Sequence, residues 1–405
     1  MLPKHIANVL NNNFNALSKK CGLTGIQSKN LKLLGKEMLE KGILVLRKLT
    51  PESGIKTAKE QGKTFGNTLQ SVDIENYVQG KILKEFCKTL KQDTVIGYDL
   101  TDEIHPYADI EKGNREQEGK GMENISKVFD GSRRRKETGY SLHGIGTSEH
   151  LLRLETHKAG SEFLPQKRKQ ILKEMLPALQ GKGIWAFDRG NDDEKLFSFL
   201  NERSIQYIVR LKNKRQVLLL KTGEVFDTKD LPEGRHRVFI RTSGKSEFDT
   251  ENEYLLIKSK HLEDKTPILL LCSINISSYS DAKLIEKYLK RWGVETQFRK
   301  VKQIYQLEKI QVRNWNRRKN LLALVVFMHF LSTQIENKVQ AIKNKAEESA
   351  LLLWQDIKEF LRKKSKEYNF YSFMEFLRTQ IPKTLSFFLR DKTLNTQEET
   401  ALTLF

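Results

Sequence analysis

Cysteine is scarce in this chain. Cys21, Cys87 and Cys272 are the three cysteines among 405 residues, and they lie far apart without C-x-x-C spacing. Zinc knuckles and disulfide frameworks need closely spaced or numerous cysteines, so this pattern argues against both. Three isolated thiols fit a reducing compartment.

Long apolar runs are also lacking. The longest, from Leu321 to Leu331, is too short to span a bilayer, which takes about 20 residues. It predicts a buried helix instead. The amino terminus carries no apolar core, so no signal peptide is expected. The sequence contains no internal repeats and no long low-complexity tract.

Acidic residues are in deficit. The chain has 71 Lys and Arg against 51 Asp and Glu, a formal net charge of +20. Such an excess favours a polyanionic partner. An ordinary basic cytosolic protein would show the same excess, so charge alone leaves both readings open.

Hydrophobic spacing predicts a helical amino-terminal region over residues 1–90. Leu31, Leu34 and Met38 recur at helical spacing, with Gly42 as a plausible stop, and Pro51–Gly54 marks a turn. A compact DNA-binding module and a helical packing or dimerisation domain explain this periodicity equally well.

The remaining chain divides into four regions. Residues 91–212 alternate short strands with helices, and residues 213–276 hold five short strands separated by turn residues. Residues 277–335 contain a charged helix that carries an acid, and residues 336–405 are expected to be mostly helical, with protein contacts possible around Leu351–Leu361. The alternation of elements predicts an α/β fold.

Two β-prone runs bear an acid at their end. Thr94–Leu100 carries Asp99, and Gly183–Asp188 ends in Asp188. The polar stretch 101–138 is predicted to be a long loop, followed by two antiparallel strands over 139–146 and 151–156. Nearby acids compete with Asp99 for a functional role: Asp93, Asp102 and Glu103.

Four polar residues in the charged helix share one face. Tyr288, Arg291, Glu295 and Lys302 form the pattern Y-(2)-R-(3)-E-(6)-K. At about 100° per residue, Tyr288 and Lys302 each fall within roughly 20° of Glu295. The pattern suits a metal ion and a phosphodiester, although a solvated helix with an i,i+4 Arg291–Glu295 pair would look similar.

This spacing resembles the signature of insertion-sequence transposases of the family-four type, which are DD(E) recombinases. Asp188-Arg-Gly190 is similar to the tripeptide that follows the family's second acid, and Asp99-Leu-Thr101 matches the context of the first acid loosely. The resemblance covers residues 94–330. It implies an RNase H-like catalytic core interrupted by a β-rich insertion, here residues 213–276.

The resemblance also implies the chemistry. Asp99, Asp188 and Glu295 would bind two Mg²⁺ ions, which Mn²⁺ can replace, to cleave transposon ends and join them to target DNA. Arg291, Lys302 and Tyr288 would contact phosphates, or Tyr288 would orient a neighbour. Partners would be terminal inverted repeats, target DNA and a second copy of the chain. A cytoplasmic, nucleoid-associated bacterial protein is expected.

Other residues near these motifs have less defined roles. The basic run containing Arg133, Arg134 and Arg135 could contact DNA or form a solvated loop. Trp292 and Phe298 are expected to pack the helix. Three histidines recur at intervals of seven residues, namely His143, His150 and His157. They are interpreted as structural.

Two other functions remain compatible with the residues. An RNase H-like nuclease that cuts without joining would use the same acids. A silent DNA-binding protein derived from a transposase would retain the fold.

Overall fold

A computed structural model gives the fold. It describes residues 2–41, 57–108, 121–130, 133–157, 164–241, 247–260, 267–307, 310 and 312–344. The chain forms two compact units. The helical unit comprises Met1–Gln79, Arg115–Glu123 and Lys300–Phe405, and the sheet unit comprises Gly80–Asn114 and Asn124–Arg299.

The helical unit is built from amphipathic helices around one apolar core. Its helices are α1 (Leu2–Lys20), α2 (Gly25–Lys41), α3 (Ala58–Ser71) and α9 (Trp315–Asn344). A capping box formed by Thr57 and Glu60 starts α3, because it satisfies backbone N–H groups that the first turn leaves free.

The apolar run predicted as a buried helix lies inside α9, and Phe327 packs edge-on against Phe14 of α1 at 5.5 Å between ring centroids. The predicted helical character of the amino-terminal region is confirmed for residues 2–41 and 58–71. Gly42, Pro51–Gly54 and Leu351–Leu361 lie outside the described residues.

The sheet unit begins with six strands that carry the candidate site. They are β1 (Val95–Ile104), β2 (Ser126–Asp130), β3 (Arg135–Gly146), β4 (Leu151–Thr156), β5 (Ile184–Phe187) and β6 (Tyr207–Arg210). β3 pairs antiparallel with β1, β2 and β4. β1 pairs parallel with β5, and β5 pairs parallel with β6.

The helices of this unit connect and follow those strands. α4 (Glu75–Cys87) precedes β1, α5 (Leu164–Leu179) connects β4 to β5, and α6 (Glu194–Asn201) connects β5 to β6. α7 (Asp281–Leu289) and α8 (Trp292–Tyr305) follow the last strand. The last residues of α8 belong to the helical unit, as do the first residues of α4.

The strands predicted between residues 213 and 276 are all present. They are β7 (Gln216–Leu219), β8 (Val225–Asp227), β9 (Gly234–Arg241), β10 (Phe248–Lys260) and β11 (Pro267–Ser273). β11 pairs antiparallel with β6, so these strands continue the same sheet in the order β6-β11-β10-β9-β7-β8.

The loop predicted over residues 101–138 is wrong for 101–104, 126–130 and 135–138, which are strands, whereas 105–108, 121–125 and 133–134 lie outside regular helices and strands. β1 continues to Ile104, and β2 with the start of β3 forms a hairpin in this stretch. Many of these residues are polar, yet they form a regular ladder in which Asp102 and Ser141 occupy opposite positions. Backbone pairing decides the conformation here. Residues 109–120 and 131–132 lie outside the described part.

The single helix predicted over Tyr288–Lys302 is also wrong. α7 ends at Leu289 and α8 begins at Trp292. Between them, Arg291 N–H donates to the Tyr288 carbonyl, and Val294 N–H donates to the Arg291 carbonyl. These i→i+3 bonds tighten the chain into a turn.

Two glycines allow the start of α8 to pack closely at this point. A Cβ on Gly97 of β1 would lie 2.9 Å from Val294 Cγ1, and one on Gly293 would lie 2.5 Å from Ser148 Cα. The start of α8 therefore rests directly on the backbone of the sheet unit, an approach that only glycine permits. Among the described residues, none of the helices combines the length and apolarity that crossing a bilayer would require.

Candidate active site

Asp99 and Asp188 lie side by side on neighbouring strands. The parallel ladder between β1 and β5 ends with Tyr98 opposite Phe187. The next residue on each strand is an aspartate. Asp99 lies in the middle of β1, whereas the sequence suggested the end of a strand, and Asp188 directly follows β5 as the N-cap of a short 3-10 turn, Arg189–Asn191.

Glu295 reaches the same region from the first turn of α8. The link is Arg291, whose Nη2 donates to Glu295 Oε1 at 2.6 Å and whose Nη1 lies 3.5 Å from Asp99 Oδ1. One guanidinium thus pairs with two carboxylates from different elements. Arg291 is 5% exposed, and its Nε and Nη1 have no hydrogen-bond partner.

The electrostatics of Asp99 reflect this crowding. The pKa of Asp99 is raised to about 7, first by burial and then by the negative charges of Glu295 and Asp188, and Arg291 opposes part of this increase. Desolvation and like charge both disfavour the ionised carboxyl. Asp99 therefore interacts with both Glu295 and Asp188, and Arg291 offsets only part of their combined negative charge.

The chemistry of the donor set suits a hard divalent cation, although the three carboxylates are not arranged around one. Three carboxylates supply only oxygen ligands, which Mg²⁺ prefers, and Asp99 and Glu295 already share one cation through Arg291. In the described part of the chain, no group of three or more His, Cys, Asp and Glu side chains has an arrangement that could hold a metal ion. The guanidinium stands between the two carboxylates that would have to close around such an ion.

The acids that compete with Asp99 in the sequence have other partners. Asp93 pairs with Lys287 at 3.3 Å, and Asp102 accepts a 2.6 Å hydrogen bond from Ser141. Glu103 is fully buried and lies 2.9 Å from His105 Nε2. Of these four acids, Asp99 is the one that pairs with Arg291.

Tyr288 and Lys302 have different surroundings. Tyr288 is 2% exposed and belongs to an apolar cluster with Ile184 and Leu284, while the Arg291 guanidinium lies 5.9 Å from its ring centroid. Of the two roles expected for Tyr288, orienting a neighbour fits this position. Lys302 is partly buried near the end of α8, in the portion that belongs to the helical unit.

The basic run is a hairpin. Arg133 and Arg134 lie in the turn between β2 and β3, and Arg135 begins β3. All three are exposed, and Arg134 adopts a positive φ of 51°. Glu137 pairs with Arg135 at 2.5 Å and lies 3.6 Å from Arg133, so an acid partly offsets this charge.

The aromatic residues of α8 differ in their surroundings. Phe298 is 4% exposed and covers Gly144, as expected for a packing residue. Trp292 is 54% exposed, so the expectation that it packs the helix is wrong. Trp292 is the first residue of α8, directly after the tight turn, whereas Phe298 lies further along the helix.

The three histidines form no common cluster. His143 is buried, with Nδ1 2.7 Å from Tyr98 Oη and Nε2 2.8 Å from His157 Nδ1. His150 lies near Phe86, with ring centroids 6.2 Å apart. Burial lowers the pKa of both His143 and His150, so neither carries a charge at neutral pH.

Two residues that the sequence analysis overlooked contact this region. Asn191 donates its side-chain amide to Asp188 Oδ1, and Arg168 of α5 donates to Asn191 Oδ1 at 2.7 Å. The sequence carried one signal of this. Arg168 occupies the apolar stripe of α5 together with Ile171 and Met175, and an arginine at such a position requires a buried partner.

Comparison with known proteins gives a family match. Residues 130–331, about half of the chain, match the family model described as the transposase DDE domain. This stretch includes Asp188 and Glu295 and begins after Asp99. A search of curated proteins found no match. A cryo-EM structure of the piggyBac transposase synaptic complex with hairpin DNA is similar at 10% identity and a TM-score of 0.45, over 100% of this chain and 82% of that chain. The chain belongs to the DDE transposase family, and it is a DNA transposase, an enzyme that cuts and joins DNA.

Proposed function

We propose that Asp99, Asp188 and Glu295 are the catalytic carboxylates of this transposase. The observation that carries the proposal is the contact of one buried guanidinium, Arg291, with both Asp99 and Glu295, at the point where the strands bearing Asp99 and Asp188 run side by side. Acids placed so close together gain stability from a shared cation.

The three carboxylates would hold Mg²⁺, with Mn²⁺ as a substitute. When bound, the metal would activate water or a DNA 3′-hydroxyl as the nucleophile and would stabilise the leaving 3′-oxygen of the phosphodiester. The chain's own contribution is placement. β1, β5 and α8 each present one carboxylate, and the close packing at Gly97 and Gly293 fixes α8 on the strands.

Arg291 would exchange its carboxylate partners for a DNA phosphate. Its buried Nε and Nη1 have no hydrogen-bond partner, and a guanidinium binds phosphate oxygens in the same forked geometry as a carboxylate. Lys302, Tyr288 and the exposed Arg133, Arg134 and Arg135 complete the proposed DNA contacts, with Tyr288 acting through Arg291.

The family-four type, with its RNase H-like core, is part of this proposal. The strand order β4-β3-β1-β5-β6, antiparallel and then parallel, supports such a core. The strands β7–β11 support a β-rich insertion between the second and third acids. Residues 1–90 would bind the terminal inverted repeats. Of the carboxy-terminal region predicted over 336–405, the structure describes the part up to Asn344, which lies in α9, and the remainder lies outside the described residues.

The proposed reaction is cut-and-paste transposition in the bacterial nucleoid. Hydrolysis at the terminal inverted repeats would free a 3′-hydroxyl, and transfer of that end into target DNA would complete the reaction. Bringing two ends together would require self-association on DNA.

The test is Mg²⁺-dependent cleavage of the DNA that flanks the gene. Glu295→Gln should abolish cleavage while DNA binding persists, because the amide keeps the size of the side chain and removes its charge. Glu286→Gln is the matched control, since Glu286 lies on α7 and pairs with Lys283 and Lys290. Cleavage by Glu295→Gln at the wild-type rate would refute the assignment.

A further inference from the structure

Arg168 is a buried cation on an apolar helix face. It lies on α5 at helical spacing from Ile171, Leu172 and Met175, and it is 2% exposed. Burying a guanidinium is costly unless its N–H groups are paired. Its partners therefore show why an arginine occupies this position.

Those partners lie in the segment that follows β5. Arg168 Nη1 donates to Asn191 Oδ1 at 2.7 Å, and Nη2 lies 2.5 Å from Asp193 Oδ2. Asp193 caps α6 by accepting from Lys195 N–H at 3.1 Å. The guanidinium thus ties the 3-10 turn and the start of α6 to α5.

The contact with Asn191 fixes the direction of its amide. Arginine has only donors, so the Asn191 oxygen must face Arg168. The amide nitrogen then faces the other way, where it donates to Asp188 Oδ1. Asn191 is 4% exposed, so water does not compete freely for either contact.

We propose that Asn191, oriented by Arg168, is a positioning residue for the Asp188 carboxylate. This inference rests on the proposed role of Asp188 as a metal ligand. The amide holds Oδ1 and leaves Oδ2 free to bind a cation. A group that orients a ligating carboxylate in this way raises metal affinity, since the ligand no longer has to be ordered when the ion binds.

Placing the Asn191 amide between the charges of Arg168 and Asp188 has a specific advantage. A guanidinium paired directly with Asp188 would compete with a divalent cation for the same oxygens, as Arg291 does at Asp99. Asn191 carries no charge, so it orients Asp188 without neutralising it. The positive charge of Arg168 stays one side chain further from the site.

A purely structural role would give different results. If Arg168 serves only to anchor α6 through Asp193, loss of the Asn191 amide would lower stability and leave metal binding unchanged. The two roles therefore separate in a measurement of metal affinity.

The test is Mn²⁺ binding to the full-length, DNA-free protein, measured from the electron paramagnetic resonance signal of free Mn²⁺ up to millimolar concentration. Asn191→Ala should raise the Kd about 10- to 100-fold with an unchanged circular dichroism spectrum. The matched control is Asn201→Ala. Asn201 also makes two side-chain hydrogen bonds, to Tyr207 and Asn252, and its loss should change the Kd by less than about twofold.

Arg168 variants give a second readout. Arg168→Gln should raise the Kd in the same direction as Asn191→Ala, and Arg168→Lys should restore part of the affinity, because lysine retains a donor for the Asn191 oxygen. Should Arg168→Gln fail to fold, Asn191→Ala still decides, since it removes only a short side chain from a turn.

Asp188→Asn separates this inference from the proposed function. If Asp188→Asn weakens Mn²⁺ binding and Asn191→Ala does not, the positioning role is refuted and the metal ligand stands. If Asp188→Asn binds Mn²⁺ as tightly as wild type, Asp188 is not a ligand, and both proposals fail.

Discussion

Adding one methyl group at Gly144 tests the packing of the site. Gly144 lies on β3 opposite Asp99, and an ideal Cβ there would fall inside the Phe298 ring. Phe298 is on α8, three residues after Glu295. Gly144→Ala therefore forces either the ring or the helix that carries Glu295 to move.

The ring should move, because the helix is held at other points. Val294 packs so closely on Gly97 that a Cβ added to Gly97 would clash with it, and Gly293 packs just as closely on Ser148. Overpacking typically costs about 1–3 kcal/mol, whereas losing a buried phenylalanine costs about 3–5 kcal/mol. Complete expulsion of the ring corresponds to the upper end of the first range and the lower end of the second. We therefore expect Gly144→Ala to lower the free energy of unfolding by about 3 kcal/mol.

A double mutant isolates this contact. Phe298→Ala alone should cost about 3–5 kcal/mol by leaving a cavity. Combined with Gly144→Ala, the loss should be close to that of Phe298→Ala alone, because the new methyl group enters space that the ring has left. The two changes are thus expected to be strongly non-additive.

The assay is urea unfolding followed by circular dichroism. Gly80→Ala is the control, since Gly80 lies in α4 with nothing within 4 Å of the added Cβ, and alanine in a helix should raise stability by up to about 1 kcal/mol. An unchanged unfolding midpoint for Gly144→Ala, or additive losses in the double mutant, would refute this account of the packing.

Two further predictions concern a titration and a buried amide. Because the folded pKa of Asp99, about 7, lies above its ordinary value of 3.8, the folded protein binds more protons between these values, and stability in metal-free buffer should fall as pH rises from about 4 to 7. Asp99→Asn should flatten this slope in urea titrations at successive pH values, and a steeper decline in the variant would show the opposite sign. In the helical unit, buried Asn320 accepts from Ile74 N–H at 3.0 Å and donates to the Leu69 and Val72 carbonyls. Asn320→Leu should lower the unfolding free energy by about 2–4 kcal/mol by leaving buried backbone groups unpaired, whereas exposed Asn316→Ala should cost far less, and equal losses would contradict this role.

The sequence predicted the elements around the site well, for reasons that are local. Alternation and turn residues predicted all five strands of 213–276, and the apolar runs before Asp99 and Asp188 predicted two strands that prove to be neighbours. Hydrophobic periodicity and residue composition are properties of a short stretch of sequence, so a sequence alone can show them.

The errors arise where contacts distant in sequence decide the structure. Nothing between Tyr288 and Lys302 reveals that Gly97 will receive the start of α8, yet that contact accompanies the break at Lys290 and Arg291. Polar residues 101–104 became strand because β3 pairs with them. In both cases, the deciding partner lies tens of residues away or more.

The proposed site is rich in negative charge, although the chain as a whole is positively charged. The chain carries a net charge of +20, which attracts DNA at long range, but the proposed site contains three carboxylates and one guanidinium, which pairs with two of them. A phosphodiester cannot approach such acids closely unless additional cations reduce the repulsion. Long-range attraction and local repulsion therefore act in opposite directions, and divalent cations at Asp99, Asp188 and Glu295 would reconcile them. Basic surface charge would recruit DNA, and metal binding would permit the reacting phosphate to enter, so the two functions would reside in different residues that mutation can separate.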